Sequence, residues 1–324
     1  MKKRYVTMDI LRILALAVIL CYHFLADVYQ RGLCEIRHPD DHFVIGNINL
    51  VIVAVGVFFV LSGAGLVLSL KDRELDIKKF YLGRWKRILI PFYVTYIAYL
   101  VFKLIGPNYS GQPLFQGARW YRAVYTVLGI DEYMKMSGFP DYSLGIGEWY
   151  LGALIIMYAV FPFIYKAMKR WRWPTLAAAA VYFAIVAATY HNDVVPMHCS
   201  VFVRIFEFIA GMFIGFLLND RRPGGKIPER AEASSEAKAD GEMCPRVVHT
   251  SSVPMYLSAI ANFTYYFYLL HHIVIYLFDE PMQQAHMILS KPRLVVLFGA
   301  EVVVTIALAL AVKFVSERLW KRMK

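Results

Sequence analysis

Apolar residues in this chain gather into eight blocks, at 6–26, 48–70, 88–106, 148–165, 174–190, 200–218, 255–277 and 294–312. Each is close to the run of about 20 residues that carries an α-helix across the hydrocarbon layer of a bilayer. The pattern predicts an all-α fold, a polytopic transmembrane helix bundle with eight spans. A ninth stretch, Trp120 to Ile130, is too short and polar for a span. It reads as an interfacial or re-entrant helix, or with 133–147 as part of a broken pair. Further helices in 107–147 can be added only in pairs, which would make ten.

The polar positions between the blocks set an orientation. With the N-terminus inside, the segments on that side carry 25 of the 35 Lys and Arg residues and the opposite segments carry 7. The remaining three, Arg12, Lys103 and Arg204, lie within spans. This bias places both termini in the cytoplasm, and an odd error in the helix count would scramble it. The first block is too long for a signal peptide, has no small-residue cleavage site after it, and contains Asp9 and Arg12, so it is expected to stay as a span.

Composition agrees with the pattern. Apolar residues make up 59% of the chain and charged residues 18%, against about half and a quarter in an average soluble domain, and the mean hydropathy is +0.48. The net charge of +11 is spread between apolar blocks and forms no stripe suited to nucleic acid. One membrane domain, 1–324, is expected, with an exception in character at 219–254. There Pro223, Gly224, Gly225 and the Ala/Glu/Ser/Lys run to Glu242 read as a disordered cytoplasmic loop. The cysteines Cys21, Cys34, Cys199 and Cys244 show neither metal-like nor disulfide-like spacing and read as free thiols.

Charges inside spans are costly and need a reason. Asp9, Arg12 and His23 share one face of the first helix, with Arg12 and His23 about 16 Å apart along its axis. That face can line a polar cavity, or Arg12 can snorkel to the headgroups beside Asp9 while His23 sits near the far boundary. Arg84 and Arg87, i,i+3 neighbours at the start of the third span, can grip a phosphate or pyrophosphate, or serve only topology. Glu148 opens the fourth span, where it can act on a substrate or merely favour a helix N-terminus. Arg204 and Glu207 are expected to pair; His271 lies deep in the seventh span; Glu301 has no evident partner.

Six segments, taken in order, resemble the bacterial membrane-bound acyltransferase family three, which includes sugar O-acetylases of surface polysaccharides. Arg12, ten residues and His23 are similar to that family's first-helix signature. Gly56 to Gly63, reading Gly-Val-Phe-Phe-Val-Leu-Ser-Gly, is similar to its Phe-Phe-x-x-Ser-Gly segment. Arg84-Trp85-Lys86-Arg87 with Pro91 resembles its Arg-x-x-Arg before proline. Trp149 through Pro162, Arg204 through Gly211 and Tyr265 through His271 match later landmarks, so that the resemblance runs from about residue 5 to 315. Family members usually have ten spans, and Glu148 stands here where histidine or another residue often precedes the tryptophan.

The resemblance implies transfer of an acyl group, commonly acetyl from acetyl-CoA, from the inner side to a carbohydrate hydroxyl on the outer side of the bacterial cytoplasmic (inner) membrane. Arg84 and Arg87 would hold the CoA phosphates, Arg12 would assist, and Asp9 would orient Arg12. His23 would be general base or acyl acceptor, with Glu148 on the acceptor side. His271 would support the site, and Ser62, with Gly63 and Gly65, would permit close helix contact. No metal is expected. The competing expectation, a transporter or flippase, would call for helices broken at the midplane and internal repeat symmetry; the sequence has no visible repeat.

Overall fold

The computed structural model describes residues 6–70, 74–105, 119–139, 142–191, 194–220 and 255–323, without the side chains of 255–258. In chain order the helices are α1 (Val6–Gln30), α2 (Pro39–Phe43), α3 (Leu50–Leu70), α4 (Ile77–Ile105), α5 (Ala123–Leu128), α6 (Asp131–Met136), α7 (Glu148–Arg170), α8 (Arg172–Thr189), α9 (Val201–Asp220), α10 (Met255–Gln284) and α11 (Lys291–Arg322). The eight long ones correspond to the eight apolar blocks, and each is continuous. Seven are long and apolar enough to cross a membrane. The eighth, α10, is 30 residues long but less apolar, because Asn262, five tyrosines and the His271–His272 pair interrupt it. A two-stranded antiparallel hairpin, β1 (Val44–Ile45) with β2 (Ile48–Asn49), leads into α3. Asn49 caps that helix, accepting from the Val51 and Ile52 amides.

Helix ends differ from the hydropathy blocks for a physical reason. Hydropathy marks the part of a helix that lies in hydrocarbon, whereas backbone hydrogen bonds continue equally well into water. Thus α4 begins at Ile77 rather than 88, capped by Asp76 through the Lys79 amide at 2.9 Å, and Arg84, Lys86 and Arg87 are helical. Likewise α11 runs to Arg322, and Lys86 Nζ reaches the Met323 carbonyl at 3.0 Å. The C-terminal end of α11 and the N-terminal end of α4 therefore share one end of the bundle.

The unassigned region resolves into short pieces. A 3-10 turn at Trp120–Arg122 runs into α5, which Gly129 ends with a φ of +70°, and α6 follows. Six-residue helices extend about 9 Å, far short of a bilayer, so among the described residues the long helices number eight, not ten. Residues 106–118, and the expected loop 219–254 beyond the last two residues of α9, lie outside the described residues.

The core begins at the contact of α3 with α9. A Cβ on Gly63 would strike the Phe208 carbonyl, one on Gly211 the Val60 carbonyl, and one on Gly215 Ala64 and Val67. Three small residues thus let two backbones touch, the usual means of holding helices together in lipid. Gly65 meets nothing within 4 Å, so its expected part in this contact is not observed. Ser62 faces α7 instead, within hydrogen-bonding reach of Tyr150. Around the contact, Phe59, Met157, Phe161, Phe208 and Met212 are fully buried. A second cluster joins α4, α7, α10 and α11 through Phe92, Leu151, Leu269 and Ala309. A third joins α1, α10 and α11 through Phe24, Val28, Ile275 and Leu297. Outward-facing side chains such as Phe163, Val181, Ile185, Val295 and Val296 are apolar, as a lipid-facing surface requires.

Arg204 and Arg31 each have acid partners. Arg204 bonds Glu207 and the His198 carbonyl at 2.6 Å each, as the i,i+3 spacing predicts, and Gly56 leaves room for the Glu207 carboxylate. Arg31 binds Asp27 and Glu280 at 2.5 Å each, tying the end of α1 to α10. Glu301, which the sequence left alone, has partners: it lies against Asp279, which in turn meets Asp27. They come from helices far apart in the chain, so spacing could not reveal them.

The glycine contact has a direct test. Gly211→Val is expected to destabilise by about 1–3 kcal/mol through overpacking, visible as a lower melting temperature in detergent. Gly65→Ala, introduced into open space, should leave that temperature unchanged.

Candidate active site

The site is assembled from α1, α7 and α10. Helix α1 presents Asp9, Arg12 and His23 along one face, as the periodicity requires, and Asp9 is buried with Arg12 Nη1 3.4 Å from its Oδ1. Helix α10 presents His271 and His272 on adjacent positions. Helix α7 contributes Glu148 as its first residue, directly after a turn built from left-handed conformations: Gly145 at φ +75°, Gly147 at +73° and Glu148 itself at +45°. Glycine adopts this region freely, but a glutamate there costs on the order of 1–2 kcal/mol. Non-glycine residues held in such conformations concentrate at functional sites, where surrounding contacts compensate the strain. Here the Tyr268 hydroxyl donates to the Gly147 carbonyl, and a Cβ on Gly147 would collide with the Leu151 side chain.

The turn aims the Glu148 carboxylate into a group of imidazoles. Its Oε2 lies 3.3 Å from His23 Nε2, and its Oε1 lies 3.3 Å from His271 Nε2 and 3.8 Å from His272 Nε2. His271 is wholly buried, and its Nδ1 is 2.7 Å from the Tyr268 carbonyl. A carbonyl accepts only, so Nδ1 carries a proton and Nε2 is the nitrogen turned toward the carboxylate. The rings of His23 and His272 are 5.0 Å apart, those of His23 and His271 5.4 Å. Donor atoms of His23, Glu148 and His271 fall within 4.8 Å of one another, a set that could also converge on one metal ion.

A polar track leads from this group into the bundle. Tyr150 packs on Phe59 and edge-on against Tyr268, with Ser62 and Arg12 in its electrostatic surroundings. Further along α7, Tyr158 faces Arg84, whose guanidinium lies 6.0 Å from the ring and 5.8 Å from that of Phe80. Tyr265 stands between the two helices and donates to the Ile88 carbonyl at 2.9 Å. From Tyr158 to Glu148 is about 15 Å along α7, matching the Arg12–His23 interval on α1. Arg84, half buried, and the exposed Arg87 thus stand at the end of the bundle opposite Glu148.

The expected residues accordingly separate into three sets. His23, Glu148 and His271 come together; Asp9 and Arg12 form their pair lower on α1; Arg84 and Arg87 mark the other mouth. His272, Tyr150 and Tyr158 were not among the expected site residues. The tandem histidine was the available signal for the first, while tyrosines in a membrane helix are too ordinary to flag. Cys199 lies close enough to Glu148 to interact with it, but burial, with the carboxylate adding to it against Arg204, pushes its thiol up to about 12. Such a thiol stays protonated and is a poor competitor to His23 as nucleophile.

A family model described as an acyltransferase domain, that of acyltransferase family three, matches residues 5–228, more than half of the chain. The chain belongs to acyltransferase family three. It is a multi-pass membrane acyltransferase, and the matched segment includes Asp9, Arg12, His23, Ser62, Arg84, Arg87 and Glu148. His271 and His272 lie beyond it, so in this acyltransferase they join the site through the fold alone. No curated protein and no solved structure matches the chain.

The strained turn is testable by itself. Gly147→Ala combines a forbidding φ with a Cβ in the space of Leu151, and should cost about 1–3 kcal/mol of stability. Acyl transfer should fall at least tenfold, because Glu148 loses its aim. Gly46→Ala, also at positive φ but with open space around it, should affect stability only.

Proposed function

We propose that this acyltransferase moves an acyl group, acetyl in the first instance, from cytoplasmic acyl-CoA to a hydroxyl of a carbohydrate on the opposite side of the membrane. The observation that carries the reading is the contact of His23 with Glu148 at one end of the bundle, opposite the arginines at the other. With the basic segments inside, both termini and the Arg84–Arg87 mouth are cytoplasmic, where acyl-CoA is found. The two arginines bind its phosphates, Arg12, aligned by Asp9, assists within the membrane, and the pantetheine arm follows the tyrosine track to His23.

The chemistry needs a base for the acceptor hydroxyl. Glu148 engages Nε2 of His23, which leaves Nδ1 to take the proton, in the manner of a carboxylate that orients a catalytic imidazole. The hydroxyl oxygen forms the new C–O bond, the C–S bond of the thioester breaks, and the imidazolium returns its proton to the departing CoA thiolate. Glu148 stabilises the transient positive charge, and the buried His271 packs against its other oxygen. Covalent transfer through His23 would use the same contacts but leave an acyl-imidazole before the acceptor arrives. Ester acylation of a polysaccharide in the bacterial cytoplasmic membrane is the setting that fits these parts.

In a strain lacking the gene, ester-linked acyl groups on surface glycans, measured by mass spectrometry, should disappear and return with the wild-type gene. His23→Ala and Glu148→Gln should restore at most about a hundredth of the wild-type level, the lower end of what general-base catalysis contributes. Each should still be made and inserted in the membrane; full restoration by His23→Ala would refute the mechanism. If the imidazole–carboxylate group works by proton transfer, chelators should leave the purified enzyme's rate unchanged. A rate abolished by chelation and restored by zinc would instead favour metal coordination by His23, Glu148 and His271.

The donor end is tested separately. The double variant Arg84→Ala/Arg87→Ala should weaken binding of CoA by at least tenfold, since each lost charged hydrogen bond is worth about 1.5–3 kcal/mol. Unchanged affinity in a calorimetric titration would reduce those arginines to topogenic signals.

A further inference from the structure

Beside the imidazole–carboxylate group, at the same end of the bundle, lies a cavity of about 280 Å³ lined by Tyr99, Lys103, Lys135, Ser143, His272 and Tyr276, among others. That is near the lower limit for small-molecule sites and suits one sugar ring with a substituent rather than a length of chain. Its link to the chemistry is His272, which lines the cavity and has its Nε2 3.8 Å from Glu148 Oε1. Gly145, at the start of the strained turn, also lines it.

The lining is cationic. Lys103, one of the three basic residues that the positive-inside pattern left within a span, holds its ammonium 4.8 Å from the Tyr276 ring centre and 5.7 Å from that of Tyr99. A charge in that position is kept in place by two aromatic faces. Lys135 approaches from α6, with its side chain about half exposed and 3.9 Å from Glu132. Glu132 accepts from the Ser143 hydroxyl, and Glu280, whose charge also reaches Lys103, is bound by Arg31 at 2.5 Å and by Gln284. Glu132 is thus shared between Lys135 and Ser143, Glu280 is engaged chiefly by Arg31, and among the described residues no carboxylate lines the cavity itself. Topology does not explain the lysines, for they lie at the end of the bundle that is poor in basic residues. A neutral sugar needs hydroxyl partners and an aromatic face but no ammonium groups.

We propose that this cavity is the acceptor subsite and that Lys103 and Lys135 select a sugar carrying a carboxylate or phosphate close to the hydroxyl that is acylated. Tyr99 and Tyr276 form the wall and hold Lys103 in place, the lysines meet the anionic group of the sugar, and His272 forms the boundary with the reacting atoms. This rests on the proposed transfer to a carbohydrate hydroxyl.

The test uses purified full-length protein in detergent with acetyl-CoA and three probes: methyl glucoside, methyl glucuronide and glucose 6-phosphate. Release of CoA thiol gives kcat/KM for each, and the ratio of anionic to neutral probe is read within each variant, so that a general loss of activity cancels. Wild type should prefer at least one anionic probe by tenfold or more, and which one distinguishes carboxylate from phosphate. Lys103→Gln/Lys135→Gln should bring the ratio close to 1, chiefly through KM, while Lys103→Arg should keep most of the preference. Equal use of all three probes by wild type, or an unchanged ratio in the double variant, overturns the proposal. Should no probe be acylated, ligand-observed NMR of the same probes decides the subsite apart from the reaction. Glucuronide or sugar-phosphate binding that the double lysine variant abolishes and His23→Ala retains upholds the anionic subsite even though the transfer reading fails. Binding that ignores the lysines, or none, overturns it.

Discussion

A carboxylate held inside a lipid-embedded bundle must be compensated, and around Glu148 the compensation comes from three imidazoles on two other helices. Leaving such a charge unpaired would cost several kcal/mol. The packing of α1 and α10 against the start of α7 is therefore also an electrostatic requirement. The same interaction tolerates a left-handed glutamate, because the turn is tied from outside by Tyr268 to Gly147. Removing the histidines would leave both a buried charge and a strained backbone without a counterweight.

The remainder of the bundle holds this group at one end and Arg84 and Arg87 toward the other. Glycines on α3 and α9 allow backbone contact and free the facing side of α7 to carry tyrosines rather than packing bulk. Those tyrosines, with Arg84 at one limit and Glu148 at the other, make an interior polar track of about 15 Å in a molecule whose outer surface is apolar. Such a track suits a long, flexible thioester donor. The long helices around it are continuous, none unwound at the midplane.

What could be read along the chain was whatever depends on one helix at a time. The eight long helices follow from runs of apolar residues, because a bilayer imposes the same length on every span. The shared face of Asp9, Arg12 and His23 follows from helical periodicity, and so does the Arg204–Glu207 pair. The short helices α5 and α6 were undetermined, since six residues carry too little periodicity to distinguish a turn from part of a span. Gly63 and Gly65 looked alike in sequence, yet only Gly63 meets a neighbouring backbone.

The tertiary structure decided everything that needs two or more helices to meet. Glu148 in sequence could be a helix cap, an acceptor-side group or neither. Its neighbours became definite only when α1 and α10 set His23 and His271 at 3.3 Å from its two oxygens. The neighbours of His272, Lys103 and Glu301 were invisible for the same reason: most lie tens to hundreds of residues away. The sequence alone determined that the chain is a polytopic helix bundle with a polar face on its first helix, because hydrophobic burial and helical pitch are local. Which charges meet across that bundle is a property of packing, and only the folded molecule brings His23, Glu148 and His271 together.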